Sequence, residues 1–435
     1  MNSVKVGILG LGTVGGGTVS VLTRNADEIS RRAGRPIQVT HAAVRDLSRP
    51  RICSTEGIAL TENPFEVVEN PAIQIVVELI GGTTLAKDLV MAAIRQGKHV
   101  VTANKALIAR HGNEIFAAAE QRGVMVGFEA AVAGGIPVIK AIREGLAGNR
   151  IQWLAGIING TSNFILTEMR DKGRSFADVL AEAQALGYAE ADPTFDVEGI
   201  DAAHKLTILA AIAFGIPLQF ERVYTEGISG ITAQDVAFAE QLGYRIKLLG
   251  LARRAAEGIE LRVHPTLIPY RRLIANVDGV MNAVLVQGDA VGQTLYYGAG
   301  AGAEPTGSAV VADIVDVVRA LTADPENRVP HLAFQPSALA NLPILPIGGA
   351  ETAYYLRLQA EDRPGVLAEV TRILGDSGIS IEAVLQKQRG GDTSHVPVIL
   401  LTQRVQEANM ERAIKAIEAL PAITAPVVRI RLESL

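Results

Sequence analysis

The chain has 435 residues, 48% hydrophobic and 20% charged, with a formal net charge of −5 from 41 basic and 46 acidic side chains. It is too long for one ordinary core and apolar enough for several, so two to four domains are expected. The charge balance excludes the basic footprint of a nucleic-acid binder; the single cysteine, Cys53, excludes a disulfide framework or a cysteine-rich zinc site; and no apolar run reaches the roughly 18 residues of a membrane span.

The N-terminus, MNSVKVGILGLG, enters a strand directly, with no basic region and cleavable apolar core, so a cytoplasmic protein is expected. Val4–Leu9 is a first strand, ending in Gly10-Leu11-Gly12-Thr13-Val14-Gly15, with a helix beyond. Between a strand and a helix, G-x-G-x-x-G is a dinucleotide fingerprint. Its first glycine permits a tight turn, its second lets a pyrophosphate approach, and its third allows close helix packing. A second strand covers 37–44 and ends in Val44-Arg45-Asp46. Arg45 stands where a 2′-phosphate is paired, which favours NADP(H), while Asp46 leaves NAD(H) open. Strands follow at 75–79, 100–102 and 124–128, with helices at 85–96 and 115–122. This alternation predicts a doubly wound parallel sheet of Rossmann type over 1–130. Two strand-end loops point to ligand contacts: 78–83, through backbone groups and Thr83, and 102–106, which carries Lys105.

From about residue 131 the rhythm changes to an α+β pattern reaching 306, the expected catalytic and dimerisation domain. A helix spans 136–145, a strand 151–158, helices 176–186 and 199–214, and strands 261–267 and 279–287. The glycine-rich stretch 298–307 leads to a helix over about 307–320, which can return to the first domain. Gly302 and Glu304 in that stretch are candidates for approaching the cofactor from the second domain. Residues 321–350, with five prolines and a closing Gly348-Gly349, have linker composition. From 351 to 435 the order strand, helix, strand (379–388), strand, helix, strand predicts a ferredoxin-like βαββαβ module.

The most informative segment is LGYAEADPTFDVEGIDAAHK, 186–205. It gathers Glu190, Asp192, Asp196, Glu198 and Asp201 before Lys205 as a helix begins. Asp201 and Lys205, four apart, share a helix face with the acid in the favourable N-terminal position. An isolated exposed pair of that kind is worth only about 0.3–0.5 kcal/mol. Amid the other acids it suits an amino-bearing polar substrate and a lysine that delivers a proton. His204, on a different helix face, reads as structural.

These pieces resemble homoserine dehydrogenases of the long bacterial type. The matching stretches are GLGTVG at 10–15, ANKA at 103–106, FEAAVAGGIP at 128–137, NGTSNFIL at 159–166 and the 186–205 segment; EDRPGVLAEVTRILGDSGISIEAV at 361–384 resembles an ACT regulatory domain. The resemblance implies reversible reduction of L-aspartate 4-semialdehyde to L-homoserine with NADPH, on the route to threonine, methionine and isoleucine. It implies Lys205 as proton donor, with Lys105 between cofactor and substrate; the spacing of four has Asp201 hold Lys205 in place. It implies Glu190 on the substrate ammonium, and Asp196, from its place in the acid cluster, is a second candidate for that contact. It implies a structural sodium ion on Glu129 and the main chain of Val132, Gly134 and Ile136. It also implies threonine as effector of the ACT module and a homodimer or homotetramer; from charge balance and the lack of a long apolar run, neither nucleic acid nor membrane is expected as partner. Two rivals are weighed. An aspartate-semialdehyde dehydrogenase needs a cysteine nucleophile, and Cys53 lies toward the expected adenine side. An amino-acid sensor with a vestigial first domain has no need of Lys105, Glu190, Asp201 and Lys205 together.

Overall fold

In the computed structural model, which describes residues 3–325, 328–386 and 395–435, two sheets organise the chain. The first has six strands: β1 (Val4–Leu9), β2 (Ile37–Ala43), β3 (Ala59–Thr61), β4 (Ile75–Glu78), β5 (His99–Thr102) and β6 (Val126–Gly127). Their order is β3-β2-β1-β4-β5-β6, and every pairing is parallel. That is the dinucleotide-binding order, with its switch point between β1 and β4. Near-continuous runs such as IVVE in β4 are buried throughout, as a sheet covered on both faces requires.

The second sheet holds β7 (Ile151–Ile157), β8 (Tyr224–Thr225), β9 (Tyr244–Arg254), β10 (Ile259–Pro269), β11 (Met281–Gly288), β12 (Gly292–Ala299), β13 (Glu351–Glu361), β14 (Ile381–Gln386), β15 (His395–Thr402), β16 (Val405–Gln406) and β17 (Val428–Leu432). Its main path runs β12-β11-β7-β9-β10-β17-β13-β15-β14, so the central and C-terminal domains share one sheet. The four principal C-terminal strands take the order β17-β13-β15-β14, the ferredoxin-like arrangement, and β17 also pairs with β10 in parallel at Thr266–Arg431 and Leu267–Leu432.

Several elements differ in extent from the expected ones. The strand expected at 379–388 is β14; its last two expected residues lie outside the described ones. The helix expected at 115–122 begins at Lys105, because Asn104 caps it by accepting the Leu107 N–H at 3.0 Å. Lys105 is therefore the first residue of a helix. The expected 136–145 helix is a short α turn at Val138–Lys140 followed by wider π turns over Ala141–Gly145. The return helix starts earlier, at Ala303, with Pro305 in its first turn. It packs along Thr13–Arg24 so closely that a Cβ on Gly17 would lie 2.1 Å from the Ala303 carbonyl oxygen. Strands β9 and β12 were not anticipated.

The proline-rich segment is laid against both domains. The buried Leu332 joins the main core. The His331 ring stacks on Phe116 with centroids 4.9 Å apart. Further on, the Ala340 N–H donates to the Gly215 carbonyl at 2.7 Å. Among the described residues no helix is long and apolar enough to cross a membrane.

Candidate active site

Helix Ile200–Phe214 is buried from Asp201 to Phe214, and its first turns carry Asp201 and Lys205. Gly199 enters it at φ 79, a conformation that favours glycine. Against it lies helix Lys105–Arg122, which rises from the C-terminal edge of the first sheet. Asn113 fixes the two by exchanging two hydrogen bonds with the Leu218 backbone, both 3.0 Å.

At their junction Asp201 holds two lysines. Its Oδ2 accepts from Lys205 Nζ at 2.7 Å, and its Oδ1 lies 2.9 Å from Lys105 Nζ. Lys205 Nζ also donates to the Ile158 carbonyl at 2.7 Å. Asp201 and Lys205 are buried, whereas the Lys105 side chain is 37% exposed. The two lysines consequently move in opposite directions. Burial pushes Lys205 below the ordinary lysine range, and Lys105 adds to that; Asp201 opposes both. The Asp201 charge lifts Lys105 against a smaller effect of burial. Burial alone would raise Asp201, but Lys205 and then Lys105 hold it well below the usual carboxylate range. The arrangement is a buried ammonium whose hold on its proton is loosened, beside a more exposed one that keeps its proton firmly.

The acidic segment folds over this centre. Asp196 is half-buried; burial raises its carboxyl, while a hydrogen bond from Asn159 lowers it. Glu190 is exposed and acts on Lys105 through its charge. Asp192 turns away to accept the Thr194 N–H at 3.1 Å, and Glu198 accepts from Ser229 Oγ at 2.7 Å. His204 stacks on Phe220 with centroids 4.1 Å apart, a packing role.

The dinucleotide fingerprint has the shape its chemistry needs. Gly10 adopts φ 99, and a Cβ on Gly15 would fall 2.0 Å from the Gly10 carbonyl oxygen, so only glycine fits there. A Cβ on Gly12 would meet nothing within 4 Å: the space above it is open. Gly12 and Thr13 are exposed at the start of the helix, while Leu11 is buried and Val14 half-buried. Helix N–H groups facing an open cradle suit a pyrophosphate. Arg45 is exposed beyond β2. Asp46 is engaged with Ser48, accepting from its N–H at 2.8 Å and its Oγ at 2.6 Å. Thr83 and Gly302 flank two loops near this edge, each just before a helix.

Glu129 is buried, and its oxygens accept the N–H groups of Ile139 (2.9 Å) and Lys140 (2.8 Å). Its own N–H donates to Asp313 Oδ2 at 2.8 Å. Burial, and then the Asp313 charge, push its carboxyl up to about 7. Val132, Gly134 and Ile136 lie in a loop that Ala133 (φ 51) and Gly134 (φ 21) turn sharply. A carboxylate and main-chain oxygens are the donor types a hard cation takes, although both Glu129 oxygens already accept N–H groups and the Ile136 carbonyl accepts the Val138 N–H at 2.7 Å. Among the described residues no cluster of three or more His, Cys, Asp and Glu can hold a metal.

Two side chains of this region escaped the sequence reading. Glu78 ends β4 fully buried; it accepts from Thr102 Oγ1 (2.6 Å) and from the N–H groups of Ile80 (2.9 Å) and Gly81 (3.2 Å), and so shapes both strand-end loops. The signal was a lone acid closing an apolar strand. Asn159 lies under the acidic segment. It sits in the quoted stretch NGTSNFIL, but nothing local marks it.

Models of known families match three parts of the chain: a homoserine dehydrogenase NAD-binding domain over 10–129, the homoserine dehydrogenase domain over 137–315 and an ACT domain over 354–422. A homoserine dehydrogenase of Pseudomonas aeruginosa is 69% identical over 100% of both chains. That of Corynebacterium glutamicum is 44% identical over 99% of this chain and 96% of its own. Among solved structures, a homoserine dehydrogenase from Thiobacillus denitrificans superposes with a TM-score of 0.95 at 69% identity, covering 100% of this chain and 99% of that one. A hyperthermophilic archaeal homoserine dehydrogenase in complex with NADPH gives a TM-score of 0.60 at 25% identity, covering 73% of this chain and 98% of that one.

Proposed function

This chain belongs to the homoserine dehydrogenase family, oxidoreductases acting on a CH–OH group, and we propose that it reduces L-aspartate 4-semialdehyde to L-homoserine reversibly, with Lys205 as proton donor. The observation that carries this is the Lys205 ammonium, buried and hydrogen-bonded to both Asp201 and the Ile158 carbonyl at 2.7 Å.

The Gly10–Gly15 turn and the following helix N-terminus would hold the dinucleotide phosphates, with Thr83, Lys105 and Gly302 as nearby contacts. Arg45 supports a preference for NADP(H), since Asp46 is occupied by Ser48. When bound, the reduced nicotinamide supplies hydride to the aldehyde carbon. As negative charge grows on the substrate oxygen, Lys205 gives up its proton. Burial, which disfavours the charged amine, favours that transfer. Lys105 keeps its charge and steadies the oxygen or the substrate carboxylate. Glu190 and Asp196 receive the substrate ammonium. Asp201 keeps both lysines in place. In the reverse direction a neutral Lys205 takes the hydroxyl proton. A structural sodium ion would sit on Glu129 and the main chain of Val132, Gly134 and Ile136, offsetting the buried acids there.

The C-terminal module extends the reading to regulation. Gly365 begins helix Val366–Asp376 at φ 95, leaving the Asp362–Leu367 loop suited to an amino-acid carboxylate. Threonine is the proposed inhibitor, and the protein is proposed to be a cytoplasmic homodimer or homotetramer.

The test is NADPH consumption with aspartate semialdehyde, alongside initial rates with NADH and a threonine titration of the full chain. Lys205→Ala should lose roughly 10³-fold or more in turnover while retaining NADPH binding. Near-normal turnover would refute the donor role. A flat threonine response would remove the effector.

A further inference from the structure

The buried Lys205–Asp201 pair and the half-buried Asp196 are joined by one neutral side chain that the proposed chemistry has not used. Asn159 Nδ2 donates to Asp196 Oδ1 at 2.7 Å and to Asp201 Oδ2 at 2.9 Å. Its Oδ1 accepts the Ser162 N–H at 2.8 Å, capping helix Gly160–Lys172. This fixes the amide orientation: reversed, Oδ1 would face two carboxylates, and Nδ2 would face an N–H. The residue before it, Ile158, gives its carbonyl to Lys205. One dipeptide thus grips both halves of the ion pair, the lysine by a carbonyl and the aspartate by an amide.

We propose that Asn159 is a positioning residue, whose amide holds Asp196 and Asp201 as two adjacent carboxylates, Asp196 open to the substrate ammonium and Asp201 aligned on Lys205. The inference rests on the proposed reaction for its kinetic consequence and on geometry alone for its electrostatic one. Two acids side by side, one buried and one half-buried, resist joint ionisation. The groups that face Asp196 are Asp201 and Lys205 from helix Ile200–Phe214 and Lys105 from helix Lys105–Arg122. The cations are already shared with Asp201. Asn159 is the donor that answers Asp196 itself, and it adds no charge of its own. Losing a hydrogen bond to an ionised group corresponds to about one to two pH units in the titration of that group.

Two variants separate this role from helix capping. Serine and aspartate are both good caps, but Asn159→Ser removes the bridge and Asn159→Asp replaces its donors with a third carboxylate. In the full-length protein, Asn159→Ser should raise KM for the amino aldehyde about tenfold and move the acid limb of kcat/KM upward by about one pH unit. The Michaelis constant for NADPH should stay unchanged, and Asn159→Asp should move the limb further. A uniform loss at every pH, or an unmoved acid limb in both variants, overturns the proposal. Wild type is assayed in parallel. If it consumes no NADPH, the reaction assignment fails, and the Asn159 assignment is then decided by infrared titration without substrate. The protonated-carboxyl band that vanishes in Asp196→Asn should appear at higher pH in Asn159→Ser than in wild type; coincident titrations overturn it.

Discussion

Replacing Asp201 with asparagine tests the centre most sharply, because one buried carboxylate serves two cations. The shape is kept and the charge removed. The new amide cannot satisfy its neighbours in either orientation. If its NH₂ points toward Lys205 it meets that ammonium and the Asn159 amide, the two donors now on Oδ2. If it points the other way it meets Lys105, now 2.9 Å from Oδ1. Breaking a buried pair by removing one partner costs about 3–5 kcal/mol. For a chain of 435 residues that lowers the unfolding temperature by roughly 3–5 °C. Catalysis should suffer more. Lys205, already pushed down by burial, loses the charge that opposed that push, so its proton leaves at lower pH. Aldehyde reduction at neutral pH should fall about 10²–10⁴-fold, and the alkaline limb of the remaining activity should shift toward acid. Thermal unfolding by circular dichroism and NADPH consumption across pH read the two effects separately. A near wild-type rate with an unshifted alkaline limb would refute the assigned electrostatics.

Acid should loosen the first domain. The His99 and His331 rings accept the adjacent N–H groups of Met125 and Val126 at 2.9 and 3.1 Å, and burial pushes each down to about 4. A depressed histidine stabilises above its unfolded value of about 6.5 and loses that contribution as pH falls toward 4. Each shift is worth on the order of 3 kcal/mol in full, so the denaturant midpoint should drop between pH 7 and pH 5. A drop of equal size in a His99→Gln, His331→Gln double variant would rule the pair out as the cause. Gly17→Ala should destabilise by about 1–3 kcal/mol, since its Cβ would meet main-chain atoms of Ala303 that cannot turn aside. An unchanged unfolding temperature would contradict that packing.

Periodicity and turn chemistry made the first sheet and the C-terminal module readable in advance. The 186–205 segment did the same for the Asp201–Lys205 pair, whose spacing on one helix is a local property. What stayed hidden was set by long-range contacts. Lys105 looked like a loop residue because Thr102, Ala103 and Asn104 make a polar strand end, whereas the cap by Asn104 starts the helix there. That Lys105 and Lys205 share one carboxylate depends on how two helices from different domains cross. Strand β9 reads YRIKLLGLARR, a run whose charged ends obscure a strand; its Lys247 is buried only because Asn163, the Val277 carbonyl and Asp278 receive its ammonium. Asn159 was legible as part of a quoted stretch, but its reach of 37 and 42 residues to its two acids was not.

The parallel seam between β10 and β17 binds the fate of the catalytic sheet to strand Val428–Leu432. Arg262, on β10 with a side chain only 1% exposed, pairs with Glu260 and with Glu433, and Glu433 also takes Arg253 at 3.0 Å. Arg431 on β17 joins Glu226 at 2.8 Å to Glu407 at 2.5 Å. A chain in which β17 has yet to dock keeps an open strand edge and a guanidinium short of one of its acids, a non-local closure of the slow kind. Loss of the chain from Val428 onward should therefore be read by the cell as a folding defect in the whole enzyme, sending it to proteases, rather than as the trimming of an appendage.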